Sequence, residues 1–191
     1  SPEIGTYSIL KPNQTIDNFR RVPLIDGTTT DVTSYPARRG YEDLVMICAD
    51  PSLPFAWSAV TFAREGYVYF NIKNPRVLAS TMLWLTNGGR HYAPWNGRHI
   101  NVMGMEEATT FWGDGIAASA TANDFTRRGV QTIQRLAPKK PTDVTLIMGV
   151  ARVPRGFDRV RNIRRAGAGR VTLTGENGKR VEIPLDLDFL E

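Results

Sequence analysis

Turn signals interrupt this chain so often that long helices have no room to form. Asp26-Gly27, Glu65-Gly66, Asn87-Gly88-Gly89 and Glu176-Asn177-Gly178 are stretches of the kind that reverse a backbone. The runs between such signals are strand-sized and rich in branched and aromatic residues. They fall at residues 43–49, 55–63, 67–73, 80–86, 101–107, 131–136, 143–151, 157–164, 170–174 and 179–186. Residues 55–63 and 67–73 read as a hairpin around Glu65-Gly66. Residues 170–174 and 179–186 read as another around Asn177-Gly178, the strongest local hairpin signal present. The opening ~40 residues, rich in Pro, Thr, Asp and Gly, read as loops and short edge strands. Only residues 114–123, Ala-rich behind Asp114, read as helix, and a short one. Many short strands with almost no helix predict an all-β fold, a β-sandwich, in one domain over residues 1–191.

Composition narrows the partners. The 191 residues suffice for one sizeable core. The longest apolar run, residues 144–150, is interrupted by Thr145 and Gly149 and is strand-sized, so no membrane partner is expected. Cys48 is the sole cysteine, which excludes an intrachain disulfide and a cysteine-cluster metal site. Its neighbours Val45, Met46 and Ile47 predict a buried thiol without a redox role, and cysteine usage of this kind fits the cytoplasm. The net charge is +5. A dense basic stretch holds Arg152, Arg155, Arg159, Arg161, Arg164, Arg165 and Arg170, yet Phe157 is its only aromatic residue. Single-strand binders interleave basic and aromatic residues, so this stretch reads as a solvated basic face and no nucleic-acid partner is expected. Arg38-Arg39 precede Gly40-Tyr41-Glu42-Asp43, and charge pairing within a turn is the expectation there.

The segment from Trp84 to His99 differs from the rest. It holds both histidines, His91 and His99, together with Arg90, Arg98, Tyr92 and Trp95, and Trp112 follows closely. Flat aromatic faces stack on the C–H faces of a pyranose, while Arg, Asn and His supply hydrogen bonds to its hydroxyls. Arginines would also suit a phosphate on the sugar. Asn87, Arg90, Trp95, Arg98 and Trp112 are therefore the expected substrate-binding residues. Arg90 and Arg98 fit a ligand clamp and a loop-bracing salt bridge equally well. Trp84, flanked by Leu83 and Leu85, reads as core, whereas Trp95, between Pro94 and Asn96-Gly97, reads as the stacking platform. In the next strand, period-2 alternation puts Val102, Gly104 and Glu106 on one face and Met103, Met105 and Glu107 on the other. The methionines mark the second face as the core side. Glu106 then shares a face with Gly104, which leaves room for a ligand, and a strand-end carboxylate in such company can serve as a general base. The spacing of His91 and His99 is not a metal-ligand pattern, so no metal is expected.

These residues carry a resemblance. Trp84 in a strand, followed by Val102-Met103-Gly104-Met105-Glu106, resembles the late part of the aldose 1-epimerase (galactose mutarotase-like) family, where a Gly/Cys-apolar-Glu strand delivers the catalytic base. Leu136-Ala137-Pro138 with the strand at 143–151 is similar to that family's following turn and closing strand. Tyr41-Glu42-Asp43-Leu44 and Asn87-Gly88-Gly89-Arg90 look like features of one branch of the superfamily. The resemblance covers residues 40–150. It implies a twisted β-supersandwich that binds a sugar or sugar phosphate on its concave face. Glu106 would take the proton of the anomeric hydroxyl, and a histidine, His91 or His99, would protonate the ring oxygen. No cofactor is implied. Family members are longer and carry their histidines further upstream, so the chain corresponds to a C-terminal portion. Raw sheet edges would then call for a homodimer or a missing N-terminal segment. Two rival expectations are a non-catalytic carbohydrate-binding or sensing module on the same scaffold, and a structural domain whose faces another subunit fills.

Overall fold

The structure, a computed structural model, describes residues 7–190. The described chain is built from short antiparallel strands. They are β1 (Val22–Pro23), β2 (Thr29–Thr30), β3 (Tyr41–Cys48), β4 (Ala56–Phe62), β5 (Tyr67–Lys73), β6 (Ser80–Asn87), β7 (Val102–Ala108), β8 (Leu146–Arg152), β9 (Val160–Arg165), β10 (Arg170–Gly175) and β11 (Arg180–Pro184). A single α-helix, α1 (Gly115–Ala120), is joined by two 3-10 turns at Thr126–Arg128 and Asp188–Leu190. The fold is therefore all-β and sandwich-like. Among the described residues no helix is long and apolar enough to cross a membrane. The chain divides into two compact units, Ser1–Cys48 with Ser80–Asp124, and Ala49–Ala79 with Phe125–Glu191.

The first unit is a three-stranded sheet in the order β3-β6-β7, with the small ribbon β1-β2 beside it. Asp26 turns that ribbon: its carboxylate accepts from the Thr28 amide and hydroxyl, and Gly27 takes a positive φ of 85°. Those two bonds hold the Asp26 carboxyl below the ordinary carboxylate range. Leu83 and Leu85 of β6 pack with Val45 and Met103 onto Leu10, Val22, Leu24 and Val32. The register then puts Glu42, Leu44, Met82, Trp84, Gly104 and Glu106 on the opposite face. Trp84 thus departs from expectation. It alternates with the leucines that flank it and faces away from the cluster they build.

Asp43 lies on the core side and is buried. Its Oδ1 accepts from the Ser8 hydroxyl and from the backbone N–H groups of Ile9 (3.1 Å) and Leu10 (3.0 Å), which fastens the early segment to the sheet. Tyr35 donates its hydroxyl to the Thr86 carbonyl. Burial pushes the Tyr35 phenol above its ordinary value of 10.0, and the nearby Arg38 charge opposes this more weakly. Arg38 itself donates to Thr30 Oγ1 at 2.6 Å. The charge pairing expected within the 38–43 turn is replaced, since Glu42 and Asp43 alternate across the sheet and find separate partners on its two sides.

The second unit stacks two three-stranded sheets, β4-β5-β8 and β11-β10-β9. Val68, Phe70, Ile72 and Ala151 from one sheet meet Val160, Ile163, Val171 and Leu173 from the other. Each large apolar side chain fully buried this way is worth roughly 1.5–3 kcal/mol. Phe70 sits between Ala59 and Gly149 in register, small residues on both neighbouring strands. A Cβ on Gly149 would lie 2.5 Å from Phe70 Cζ, so the ring occupies the space a side chain would fill. The Asn177-Gly178 hairpin forms as expected, with Gly178 at φ 83°.

Two expectations fail here. Residues 131–136 form no strand among the described residues. Val130 and Thr132 are buried while Gln131 is exposed, so the segment has a strand's alternation without a ladder partner. Cys48 is exposed. It is the last residue of β3, opposite Ser80 where the ladder ends, and its neighbours Val45, Met46 and Ile47 are themselves only half-buried.

Candidate functional site

The outward face of the first unit's sheet gathers most of the residues that the sequence singled out. Gly88 is the pivot. Its φ of 85° turns the chain out of β6, and Gly89 then crosses the backbone of β3. A Cβ on Gly89 would meet Glu42 N at 2.1 Å and the Tyr41 carbonyl carbon at 2.2 Å, so only glycine permits that crossing. The Gly-Gly pair, expected to be a plain turn, is a close approach of two backbones that delivers Arg90 to Glu42.

Residues 90–99 then close on themselves. Gly97 N donates to Arg90 O (2.8 Å), Gly88 N to His99 O (2.8 Å), and Trp95 N and Asn96 N both to Tyr92 O (3.0 and 2.9 Å). Asn96 and Gly97 take consecutive positive φ values of 47° and 68°, where Asn and Gly are the residues best tolerated. A compact surface loop with adjoining ends is a frequent carrier of function.

Arg90 organises the loop's interior. Its Nη2 and Nε donate to the Glu42 carboxylate at 2.6 and 3.1 Å. The pair is largely desolvated, with 18% and 5% of the side-chain surfaces exposed. The guanidinium also lies 5.3 Å from the Trp84 ring centre, 5.7 Å from Tyr92 and 5.2 Å from Trp95. His99 sits near two of the same rings, at 5.1 Å from Trp84 and 5.3 Å from Trp95. Of the two roles weighed for Arg90, this geometry is a brace. Two buried polar atoms in the cluster, Trp84 Nε1 and His99 Nδ1, have no hydrogen-bond partner. Each such atom costs about 1–3 kcal/mol, which stability alone does not explain.

Glu106 stands on the same face and is exposed. The room expected beside Gly104 is taken by Glu106's own carboxylate. A Cβ on Gly104 would lie 3.3 Å from Glu106 Oε1, 3.3 Å from Trp84 Cβ and 3.6 Å from Trp84 Cε3. Carboxylate and indole are thus neighbours across a glycine. Glu107 points to the other side and accepts from the Thr81 hydroxyl at 2.7 Å.

The remaining expected residues are more dispersed. His91 is exposed and meets Tyr7 edge-on at 4.5 Å. Arg98 is exposed and donates to the Pro94 carbonyl (3.2 Å). Asn87 is committed at both ends of its amide, donating to Ala37 O (3.0 Å) and accepting from Asn101 N (3.1 Å). Trp112 is half exposed, in the loop after β7. Glu42 is the member that sequence reasoning missed. Its signal was slight: a carboxylate inside a strand whose apolar neighbours predict burial. Among the described residues no group of three His, Cys, Asp or Glu side chains converges on a point. Set against known proteins, the chain matches no family model, no curated protein and no solved structure.

Proposed function

We propose that this chain binds a carbohydrate on the outward face of β3-β6-β7, and that Glu106 acts there as general base in an aldose 1-epimerase-like interconversion of anomers. The observation that carries the reading is the Glu106 carboxylate beside the Trp84 indole over Gly104. A sugar needs both an aromatic surface for its C–H face and an acceptor for the anomeric proton, and an exposed carboxylate next to indole supplies them together.

In the reaction, Glu106 removes the proton from the C1 hydroxyl, the C1–O5 bond breaks, and O5 takes a proton to give the open aldehyde. Rotation about C1–C2 and reclosure yield the other anomer, with Glu106 returning its proton. His99, whose ring centre lies 5.1 Å from that of Trp84, is the residue assigned to protonate O5. A second reading, a non-catalytic carbohydrate-binding module, is favoured by the position of His91, whose ring meets Tyr7 edge-on rather than facing Glu106 as an acid.

Ligand-observed NMR on a panel of free and phosphorylated aldoses separates the readings. Faster exchange between α and β anomeric signals, abolished in Glu106→Gln with binding retained, supports catalysis. Binding without faster exchange supports the module. Absence of binding across the panel rejects both.

A further inference from the structure

The second unit carries a different site. Its arginine-rich stretch contains paired and unpaired members. Arg159 pairs with Glu176 at 3.6 Å, Arg165 with Asp188 at 2.6 Å and Arg170 with Glu182 at 3.4 Å. The side chains of Arg161 and Arg164 of β9 and Arg180 of β11 have no ion pair or hydrogen bond among the described residues. These three converge. With Asn162, Thr172 and Thr174 they line one cleft of about 280 Å³. The register explains the grouping. Arg164 lies opposite Thr172, Asn162 lies opposite Thr174, and Thr174 lies opposite Arg180, so the five share the sheet face turned away from the core.

Glu182, opposite Thr172 on this face, is taken up by Arg170, and Arg165 at the cleft by Asp188, which leaves Arg161, Arg164 and Arg180 as a net positive group whose mutual repulsion is relieved when an anion sits between them. Guanidinium groups grip phosphate oxygens in bidentate fashion, and hydroxyl and amide groups complete such a shell. A cleft of this volume has room for a phosphate or pyrophosphate group. We propose that the β9-β10-β11 face binds a small phosphate-type oxyanion, held by Arg161, Arg164 and Arg180 with Asn162, Thr172 and Thr174.

The test is isothermal titration calorimetry of the full chain with inorganic pyrophosphate, alongside inorganic phosphate and a short single-stranded oligonucleotide. Saturable one-to-one binding of pyrophosphate or phosphate is expected. Arg164→Ala/Arg180→Ala should weaken it about tenfold or more, because two guanidinium contacts to the anion are lost. A charge-matched control, Arg135→Ala/Arg152→Ala, should leave the affinity unchanged. Circular dichroism of both variants confirms that the sheets persist. Three results overturn the proposal: no binding of either anion, equal weakening by the two double variants, or binding of the oligonucleotide that neither small anion displaces.

Discussion

Replacing Arg90 by Met removes one charge from a pair that is mostly out of water, while keeping much of the apolar stem that packs under the rings. The Glu42 carboxylate would then stay buried with its guanidinium partner gone. Breaking a buried pair from one side costs about 3–5 kcal/mol. The partial exposure of Arg90 places the expected loss near the lower end, about 3 kcal/mol, with loss of its contacts to three rings adding about 0.5–1 kcal/mol for each that is effective. The double variant Arg90→Met/Glu42→Leu strands no charge and should recover at least about 2 kcal/mol of the summed single losses. Urea denaturation followed by tryptophan fluorescence reads all four proteins, because Trp84 and Trp95 report the cluster directly. A single-variant loss under about 1 kcal/mol, or strictly additive losses, would refute the view that a desolvated pair holds this loop.

Three further outcomes follow from the same geometry. Gly149→Ala should cost about 1–3 kcal/mol in urea denaturation, as the Phe70 ring must move, and Phe70→Leu in the same chain should restore part of the loss. Asp43→Ala should release the segment at Ser8–Leu10, seen as faster amide hydrogen exchange at Ile9 and Leu10, with a stability loss of about 1.5–3 kcal/mol for each charge-assisted bond not replaced by water. Tyr35 titrates above its ordinary value when folded, so the folded state holds that proton more tightly than the unfolded state. Stability should therefore fall as pH rises from 10.0 through the folded value, and Tyr35→Phe should flatten that part of the curve in urea midpoints measured across alkaline pH.

Local chemistry made much of the architecture legible. The hairpins at Glu65-Gly66 and Asn177-Gly178 follow from turn residues alone, and the faces of β7 follow from two methionines alternating with Gly104 and Glu106. What failed depends on partners distant in sequence. Trp84 between two leucines reads as core, yet strand alternation sends it to the other face, where Arg90 and His99 meet it. Residues 131–136 carry a strand's alternation, but nothing local announces whether a neighbouring strand will be there to pair. Arg90 and Glu42 are 48 positions apart, and the crossing at Gly89 that unites them is invisible until the backbone of β3 is in place. Within the arginine-rich stretch, composition suggested one solvated face, whereas pairing with Glu176, Asp188 and Glu182 neutralises some members and leaves others grouped.

The chain passes from one compact unit to the other three times, after Cys48, Ala79 and Asp124. During synthesis the β4-β5 hairpin therefore emerges with Val68, Phe70 and Ile72 on one face, long before β9 and β10 exist to cover them. An isolated hairpin is marginal in water, and an uncovered apolar face invites association with other chains. The hairpin must wait while β6, β7 and α1 are made and complete a different sheet. Folding of this molecule is thus a matter of order in time.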